Sequence, residues 1–425
     1  MATVAKRTIT YNSSKKNLLD RLGESTSLRW MLIVPAIILT SIGLVMVLSA
    51  SSVESIASGV GPYNLFVKQA LWALIGIISL TIVSSLPVSF IKKLALPAIA
   101  IGIILLSLVA FTPLGVEVNG NKNWLDIGGF RMQPSEAVKL ALCLWLGLIY
   151  YNKGTLVKDW KHAVIPVLFP MGGLLLFLVM YGRDLGTTIV LSLILVTGMI
   201  VSGSNWKVLS IAGLVGAAGA VISTVMSDNR MIRIKAWMGE CGHPTEPCFQ
   251  SDHGLHALAS GGFFGVGLGQ SRQKWSYVPE AENDFIFSIL GEEMGFVGTI
   301  FVVLLFSMIA LVLYVASKRA QDTFSRITLL TIMSWLVGQA VVNIAMVSGL
   351  LPVIGVPLPF ISYGGSALLM SLLAIGVAFA IIREQENLTP FTFSVRKIKF
   401  KKRNDKKKES PKEIKKKRKV LTKAL

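Results

Sequence analysis

The sequence predicts an all-α, polytopic membrane protein of about ten transmembrane helices with one large ordered extracytoplasmic loop. Three observations predict it. Of the 425 residues, 53% are hydrophobic and only 15% are charged, against about 25% charged in an average soluble domain. The missing charge is missing in runs: Met31–Ala50, Leu94–Phe111, Val164–Tyr181 and Leu185–Val201 contain no Asp, Glu, Lys or Arg. The basic residues that remain fall in alternate loops.

Each charge-free run approaches the ~20 apolar residues that cross ~30 Å of hydrocarbon. A backbone in that setting must satisfy its own hydrogen bonds, so the runs are expected to be helices. Ten spans follow, at about 28–50, 68–87, 93–112, 134–152, 163–181, 184–203, 206–226, 284–316, 324–348 and 364–383. Lys6, Arg7, Lys15 and Lys16 precede the first. Lys92 and Lys93, then Lys153, Lys158 and Lys161, then Lys207, then Lys318, Arg319 and Arg326 occupy every second loop. The positive-inside rule puts all of these on the cytoplasmic side. Ten spans satisfy them together, whereas nine or eleven do not. The polar, basic arm 1–27 lacks the pattern of a cleaved signal and reads as cytoplasmic. Residues 28–385 are expected to form the membrane domain, with both termini cytoplasmic.

The tail, 386–425, is expected to be a disordered basic cytoplasmic segment. From Arg396 to Lys423 it holds 16 Lys/Arg against 3 Asp/Glu, net +13 of the chain's +19. Such a cluster gains about 1 kcal/mol per basic residue from anionic lipid, and docking to an acidic cytoplasmic partner is the alternative. Nucleic acid is not expected, because the aromatic stacking platforms of such sites are absent from the run.

Two polar loops fall outside, 113–133 and 227–283. The longer is the main place for structure beyond the membrane, and its Gly, Trp and Tyr content argues for order. It contains Cys241 and Cys248. Outside the cytoplasm a disulfide between them is the leading expectation; two free thiols, or a metal site with His243, His253 or His256, are the alternatives. Their spacing fits no standard zinc pattern, and no metal ligands are assigned. Cys143 lies within a span as a packing residue.

Soluble-enzyme signatures are missing: the chain has no Walker loop, no G-x-S-x-G and no H-E-x-x-H. It also lacks a D-x-D, which disfavours a nucleotide-sugar donor. The informative stretch is Trp275 to Phe287, where Glu280, Glu282 and Asp284 stand just before a long apolar helix. Asp284 is expected in the first turn of that helix, on one face with Ser288, Gly291, Glu292 and Gly295. Glu292 then lies ~12 Å deeper. Ionisable groups at membrane depth are functional candidates, although Asp284 could be only a helix cap and Glu292 and Glu293 only partners of a buried cation. In the first outer loop, Pro134 suits a helix's first turn, and Glu136 and Lys139 are three apart; Lys139 either pairs with Glu136 or faces a phosphate. Arg183 and Asp184 mark a tight turn. Residues 350–366, with three prolines and three glycines, read as a broken segment beside a pocket.

The motifs together resemble the SEDS family of cell-shape, division and sporulation proteins. The resemblance runs from about residue 30 to 385. It is carried by Val45–Ser52, Gln133–Glu136, Asp184–Thr187, Gly265–Gly269, Pro279–Glu280 with Asp284–Phe287, Glu292–Gly295 and Pro359–Ser366. The first and last of these look more like the division branch, the FtsW-like members, than the elongation branch. Three positions depart from the family pattern: Glu282-Asn283 before Asp284, Asn123 before Trp124, and Arg183 before Asp184.

The resemblance implies a peptidoglycan glycosyltransferase that polymerises lipid II, with Asp284 catalytic. Substrate-binding candidates are Glu280, Lys274, Lys139 and Arg183, with Arg233, Gln250 and Ser362. Glu136, Asp184, Glu292 and Pro359 are assigned structural or coupling roles. No cofactor is firmly implied; a divalent cation (Mg or Mn) is the one candidate to help the pyrophosphate leave. The expected partners are lipid II, undecaprenyl-pyrophosphate-linked glycan, a monofunctional class B penicillin-binding transpeptidase and, through the basic tail, other division proteins. The septum, in a bacterial cytoplasmic membrane, is the expected location. Two other readings stay open: a lipid II flippase, and a non-catalytic divisome scaffold.

Overall fold

The computed structural model describes residues 28–388 other than 58, 60, 119, 129, 155, 157–170, 205, 226, 241–245, 276 and 277. The arm 1–27 and nearly all of the tail therefore lie outside the described residues, as do Cys241 and the first half of the expected fifth span.

A helix lies at each of the ten expected spans. They are α1 (Leu28–Ala57), α2 (Asn64–Ser85), α3 (Val88–Phe111), α4 (Pro134–Lys153), α5 (Gly173–Tyr181), α6 (Leu185–Val201), α7 (Trp206–Val225), α10 (Ile286–Arg319), α11 (Thr323–Val347) and α12 (Gly365–Leu388). Among the described residues six of them, α1, α2, α3, α10, α11 and α12, are long and apolar enough to cross a membrane by themselves. Local chemistry sets several starts. Pro134 occupies the first turn of α4, as expected. Asp184 caps α6 by accepting from Thr187 N, and Asp322 caps α11 by accepting from Ser325 N.

Packing separates the helices into two kinds. On α2 and α3 one stripe is buried, and residues such as Leu74, Ile78, Ile101 and Ile104 are exposed. Without a membrane those faces would be a large apolar surface; against lipid they are at home. In contrast, α4 and α11 are enclosed, with Leu142, Cys143, Leu146, Trp335 and Leu336 buried between neighbours. Glycine lets these helices approach: a Cβ on Gly147 would sit 2.4 Å from Thr328 Oγ1 of α11. One on Gly43 of α1 would sit 2.4 Å from Phe360 O.

The loop 113–133 adds an element that the sequence did not announce as structured. It folds as a three-stranded antiparallel sheet, β1 (Gly115–Val118), β2 (Asn121–Ile127) and β3 (Phe130–Met132), in the order β1-β2-β3. The loop 227–283 is ordered around two helices, α8 (Asp228–Trp237) and α9 (Glu246–Ser260). Cys248 is disulfide-bonded and Cys143 is free and buried. The bridge to Cys241 remains an expectation.

One helix departs from regularity in a way that matters for the site. In α10, Gly295 has φ 67 and ψ −167. The break strands carbonyls before it and N–H groups after it, and the Gly261–Gly269 loop meets them. Val266 N donates to Glu292 O at 2.9 Å and Gly267 N to Glu293 O at 3.1 Å. Phe296 N and Val297 N donate to Gly262 O and Phe263 O at 2.9 and 3.1 Å. A Cβ on Gly295 would lie 2.3 Å from Gly265 N, so the junction requires glycine sterically as well as conformationally.

Candidate active site

Asp284 does not sit in the first turn of a helix, as the spacing had suggested. The helix α10 begins at Ile286, and its capping position is Phe285, without a side-chain cap. Asp284 belongs instead to the turn Pro279–Phe285, whose shape is set by Glu280. That residue adopts φ 57, a conformation costing a non-glycine residue of order 1 kcal/mol. Its carbonyl accepts from Asn283 N at 3.1 Å and Phe285 N at 3.3 Å, and its carboxylate accepts from Asn283 Nδ2.

Four successive contacts hold this turn by its backbone. Gln250 Nε2 on α9 donates to Pro279 O at 3.0 Å. Tyr363 N donates to Glu282 O at 2.9 Å, and Ser362 Oγ to Asn283 O at 2.7 Å. Asn343 Nδ2 on α11 donates to Asp284 O at 2.9 Å. The turn is thereby fixed from three sides while the Asp284 side chain is left partly exposed. Burial pushes the Asp284 carboxyl up to about 7; Glu280 and Asp184 raise it further, and Arg233 opposes them.

The broken segment closes the other side. From Leu350 to Gly364 the chain is irregular, as expected, and side chains of α11 satisfy its carbonyls. Gln339 Nε2 donates to Pro357 O at 2.8 Å and Asn343 Nδ2 to Val356 O at 2.6 Å. Gly355, at φ +69, brings the backbone so near that a Cβ there would lie 3.3 Å from Asp284 Oδ2. Pro359 precedes Phe360, whose φ is 67, and so stands at the bend of this segment.

Basic groups line the rim. Arg233 Nη1 on α8 donates to Val353 O at 3.2 Å. Arg230, one helical turn earlier, donates through Nη2 to Arg183 O at 2.9 Å. Arg183 has φ 62 and is exposed. Asp184 beside it is buried and accepts from Thr187 N, Thr187 Oγ1, Asn123 Nδ2 and Gln133 Nε2 at 2.8–3.2 Å. This aspartate ties β2, the start of α4 and α6 together.

Several expected ligand-binding residues are used differently. Lys139 and Glu136 form an ion pair of 2.8 Å with side chains only 2% and 3% exposed. Lys139 also donates to Gln339 Oε1 at 2.9 Å. It is thus a buried link between α4 and α11, not a rim cation. Lys274 is likewise enclosed, donating to Gly269 O at 2.7 Å and Ser49 Oγ at 3.0 Å and pairing with Glu293 at 3.4 Å. Ser49 Oγ donates to the same Glu293 oxygen at 2.5 Å. Glu292 accepts from Ser271 Oγ, Arg272 N and Gln273 N at 2.5–3.3 Å. These carboxylates anchor the Gly265–Lys274 loop to α1 and α10. Ser362 is buried, and its hydroxyl both donates to Asn283 O and accepts from Leu358 N; with Gln250, it clamps the turn. Residue type did not distinguish these groups from Arg183 and Arg233, because only packing decides which polar side chains face inward.

Three residues with clear roles escaped the sequence reading. Arg230 was legible as a second arginine three positions before Arg233. Gln339 and Asn343 repeat at four-residue spacing inside an apolar helix, the usual mark of an inward polar face.

The matches to known proteins agree with this architecture. The family described as "Cell cycle protein" (FtsW, RodA, SpoVE) matches residues 29–387. The chain belongs to this SEDS family. It is 37% identical over 358 residues to a protein of Mycobacterium tuberculosis named "Probable peptidoglycan glycosyltransferase FtsW", a match covering 84% of this chain and 68% of that one. It is 33% identical over 360 residues to Stage V sporulation protein E of Bacillus subtilis, covering 85% and 98%. The fold is shared with the rod shape determining protein RodA of Thermus thermophilus at TM-score 0.62 and 24% identity, covering 84% and 97%. It is also shared, at TM-score 0.67 and 23% identity over 84% and 98%, with a chain from a structure described as "Structural coordination of polymerization and crosslinking by a peptidoglycan synthase complex". The chain is thus a multi-pass membrane protein of the SEDS family.

Proposed function

We propose that this SEDS protein is a peptidoglycan glycosyltransferase that polymerises lipid II, with Asp284 as its general base. The observation that carries the reading is the clamped turn. It presents one partly exposed carboxylate, with a pKa near neutrality, in front of a rim of arginines.

In the proposed step, the 4-hydroxyl of the acceptor sugar gives its proton to the Asp284 carboxylate. Its oxygen forms a bond to the anomeric carbon of the donor glycan. The bond from that carbon to the pyrophosphate breaks, and undecaprenyl pyrophosphate leaves with the electron pair. One displacement converts an α-linked donor into a β-1,4 product. A base with a pKa near the working pH suits this task, and such help is typically worth 10²–10⁴-fold. Arg183, Arg230 and Arg233 are the candidates to stabilise the charge on the leaving pyrophosphate. A divalent cation could share that task. Among the described residues no group of three or more His, Cys, Asp or Glu is arranged to hold one, so the phosphates themselves would supply most of its ligands.

The finer assignments belong to the same proposal. The relatives named FtsW support a role in septum synthesis at the division site, and the sporulation relative keeps that branch choice open to experiment. The relative seen in a peptidoglycan synthase complex supports a class B transpeptidase as partner. The alternation of Lys and Arg supports cytoplasmic termini, with 1–27 and 386–425 as basic arms on anionic lipid.

The deciding experiment incubates the purified protein, with its transpeptidase, and lipid II. Wild type should yield glycan strands; Asp284→Ala, folded normally, should yield none. Undiminished polymer from the variant would remove the assigned role. Transbilayer movement of labelled lipid II without polymer would favour a flippase. Normal division by cells carrying Asp284→Ala would favour a scaffold.

A further inference from the structure

The loop that repairs the break in α10 has an unusual surface. Residues 261–271 carry no charge, and the segment exposes Phe263 at 70%, Phe264 at 82% and Leu268 at 58%; Trp275, just past the exposed Arg272, is exposed at 62%. It is not a loose excursion. Four backbone hydrogen bonds fasten it to residues 292–297 of α10, and Gly262, Gly265, Gly267 and Gly269 hold positive φ values that fix its turns.

Its depth follows from α10 itself. The helix is 34 residues long, with Lys318 and Arg319 at one end. About 20 residues at 1.5 Å each cross ~30 Å of hydrocarbon. Counted back from Lys318, that distance ends near residue 298. The loop is therefore tethered at the far hydrocarbon boundary. Its apolar surface is also continuous with the lipid-facing side of α10: the ring of Phe263 meets that of Phe296 edge-on at 5.7 Å. Below Phe296, Ile300, Val303 and Leu304 are exposed in turn.

We propose that Gly261–Ser271 is an interfacial lipid wedge: Phe263, Phe264 and Leu268 enter the leaflet on the Asp284 side, while the exposed Arg272 and Trp275 that follow it sit among its headgroups. Aromatic residues favour that level of a bilayer, and an uncharged, rigid, apolar knuckle has no other stable place beside a lipid-facing helix. The wedge sets the height of the site. The turns of α10 above Gly295 stand outside the hydrocarbon and carry the Asp284 turn roughly 15 Å beyond it. Where the glycosyltransferase reading holds, that height is suited to a sugar whose pyrophosphate lies at the headgroups. The wedge itself does not depend on that reading.

The test uses the full chain with p-benzoylphenylalanine at position 264 or 268, and at the exposed Glu117 of β1 as a control. After irradiation in phosphatidylglycerol nanodiscs, positions 264 and 268 should give lipid adducts by mass, several-fold above Glu117. In native membranes the adducts should again be lipid. Adduct levels equal to those at Glu117 in nanodiscs would overturn the proposal, as would crosslinking to a protein in place of lipid in native membranes. An aromatic replacing the exposed Phe264 should leave folding intact, which thermal unfolding checks. The same adducts in an Asp284→Ala background would separate the wedge from the catalytic assignment.

Discussion

Asn343 holds Asp284 by its backbone: one amide nitrogen donates both to Asp284 O at 2.9 Å and to Val356 O at 2.6 Å. The donor lies on an enclosed helix, so the turn and the broken segment share one rigid peg. Asn343→Leu should leave two buried carbonyls without a donor, each costing about 1–3 kcal/mol. Displacement of the reacting group should lower polymerisation by up to ~10²-fold. A turnover assay read beside the thermal unfolding midpoint checks this, with turnover expected to fall further than stability alone explains.

The rate should depend on pH through Asp284. Its carboxyl is pushed up to about 7, so below that pH it is protonated and cannot accept a proton. Polymerisation should rise as pH increases through about 7 and then level off. Glu280 raises this value and Arg233 lowers it. Glu280→Gln should therefore move the limb to lower pH, and Arg233→Gln should move it to higher pH. A pH–rate profile of lipid II polymerisation measures both shifts. Limbs that stay fixed in both variants would contradict Asp284 as the titrating base.

Lys139 offers a different contrast. Its pair with Glu136 is almost fully enclosed. Lys139→Met should strand a buried carboxylate and cost about 3–5 kcal/mol, and the double change with Glu136→Gln should recover much of that loss. Thermal unfolding in detergent gives the readout. A substrate-binding lysine would instead show normal stability, a raised KM and no rescue.

Gly355 tests how close the backbone must come. Gly355→Ala would force a side chain into φ +69 with its Cβ 3.3 Å from Asp284 Oδ2, a conformation costing about 1–2 kcal/mol. Gly59 has φ +73 with open space around its Cβ. Gly59→Ala should therefore match the strain of Gly355→Ala but spare activity, whereas Gly355→Ala should lose most of it. Glycan yield at equal folded protein separates the two.

Much of this architecture could be read along the chain. Long apolar runs and the alternation of basic loops located the spans, because crossing hydrocarbon constrains composition one residue at a time. Pro134 and Asp184 marked helix starts by local chemistry, and residues 350–366 announced a break by their prolines and glycines. The sheet at 115–132 was missed, although the dipeptide Asn119–Gly120 between short alternating runs is a hairpin signal.

The sequence by itself determined the membrane class and the count of crossings. These depend on hydrophobicity and on neighbours a few positions away. Only the tertiary structure decided which polar groups work and which merely hold. Lys139 and Lys274 were indistinguishable in type from the rim cations, yet Glu136 and Glu293, drawn close by helix packing, consume them. Gln250, Ser362 and Asn343 come from distant parts of the chain to hold one short turn. A side chain's partner is set by distance in space, and in a packed bundle that distance bears little relation to separation along the chain.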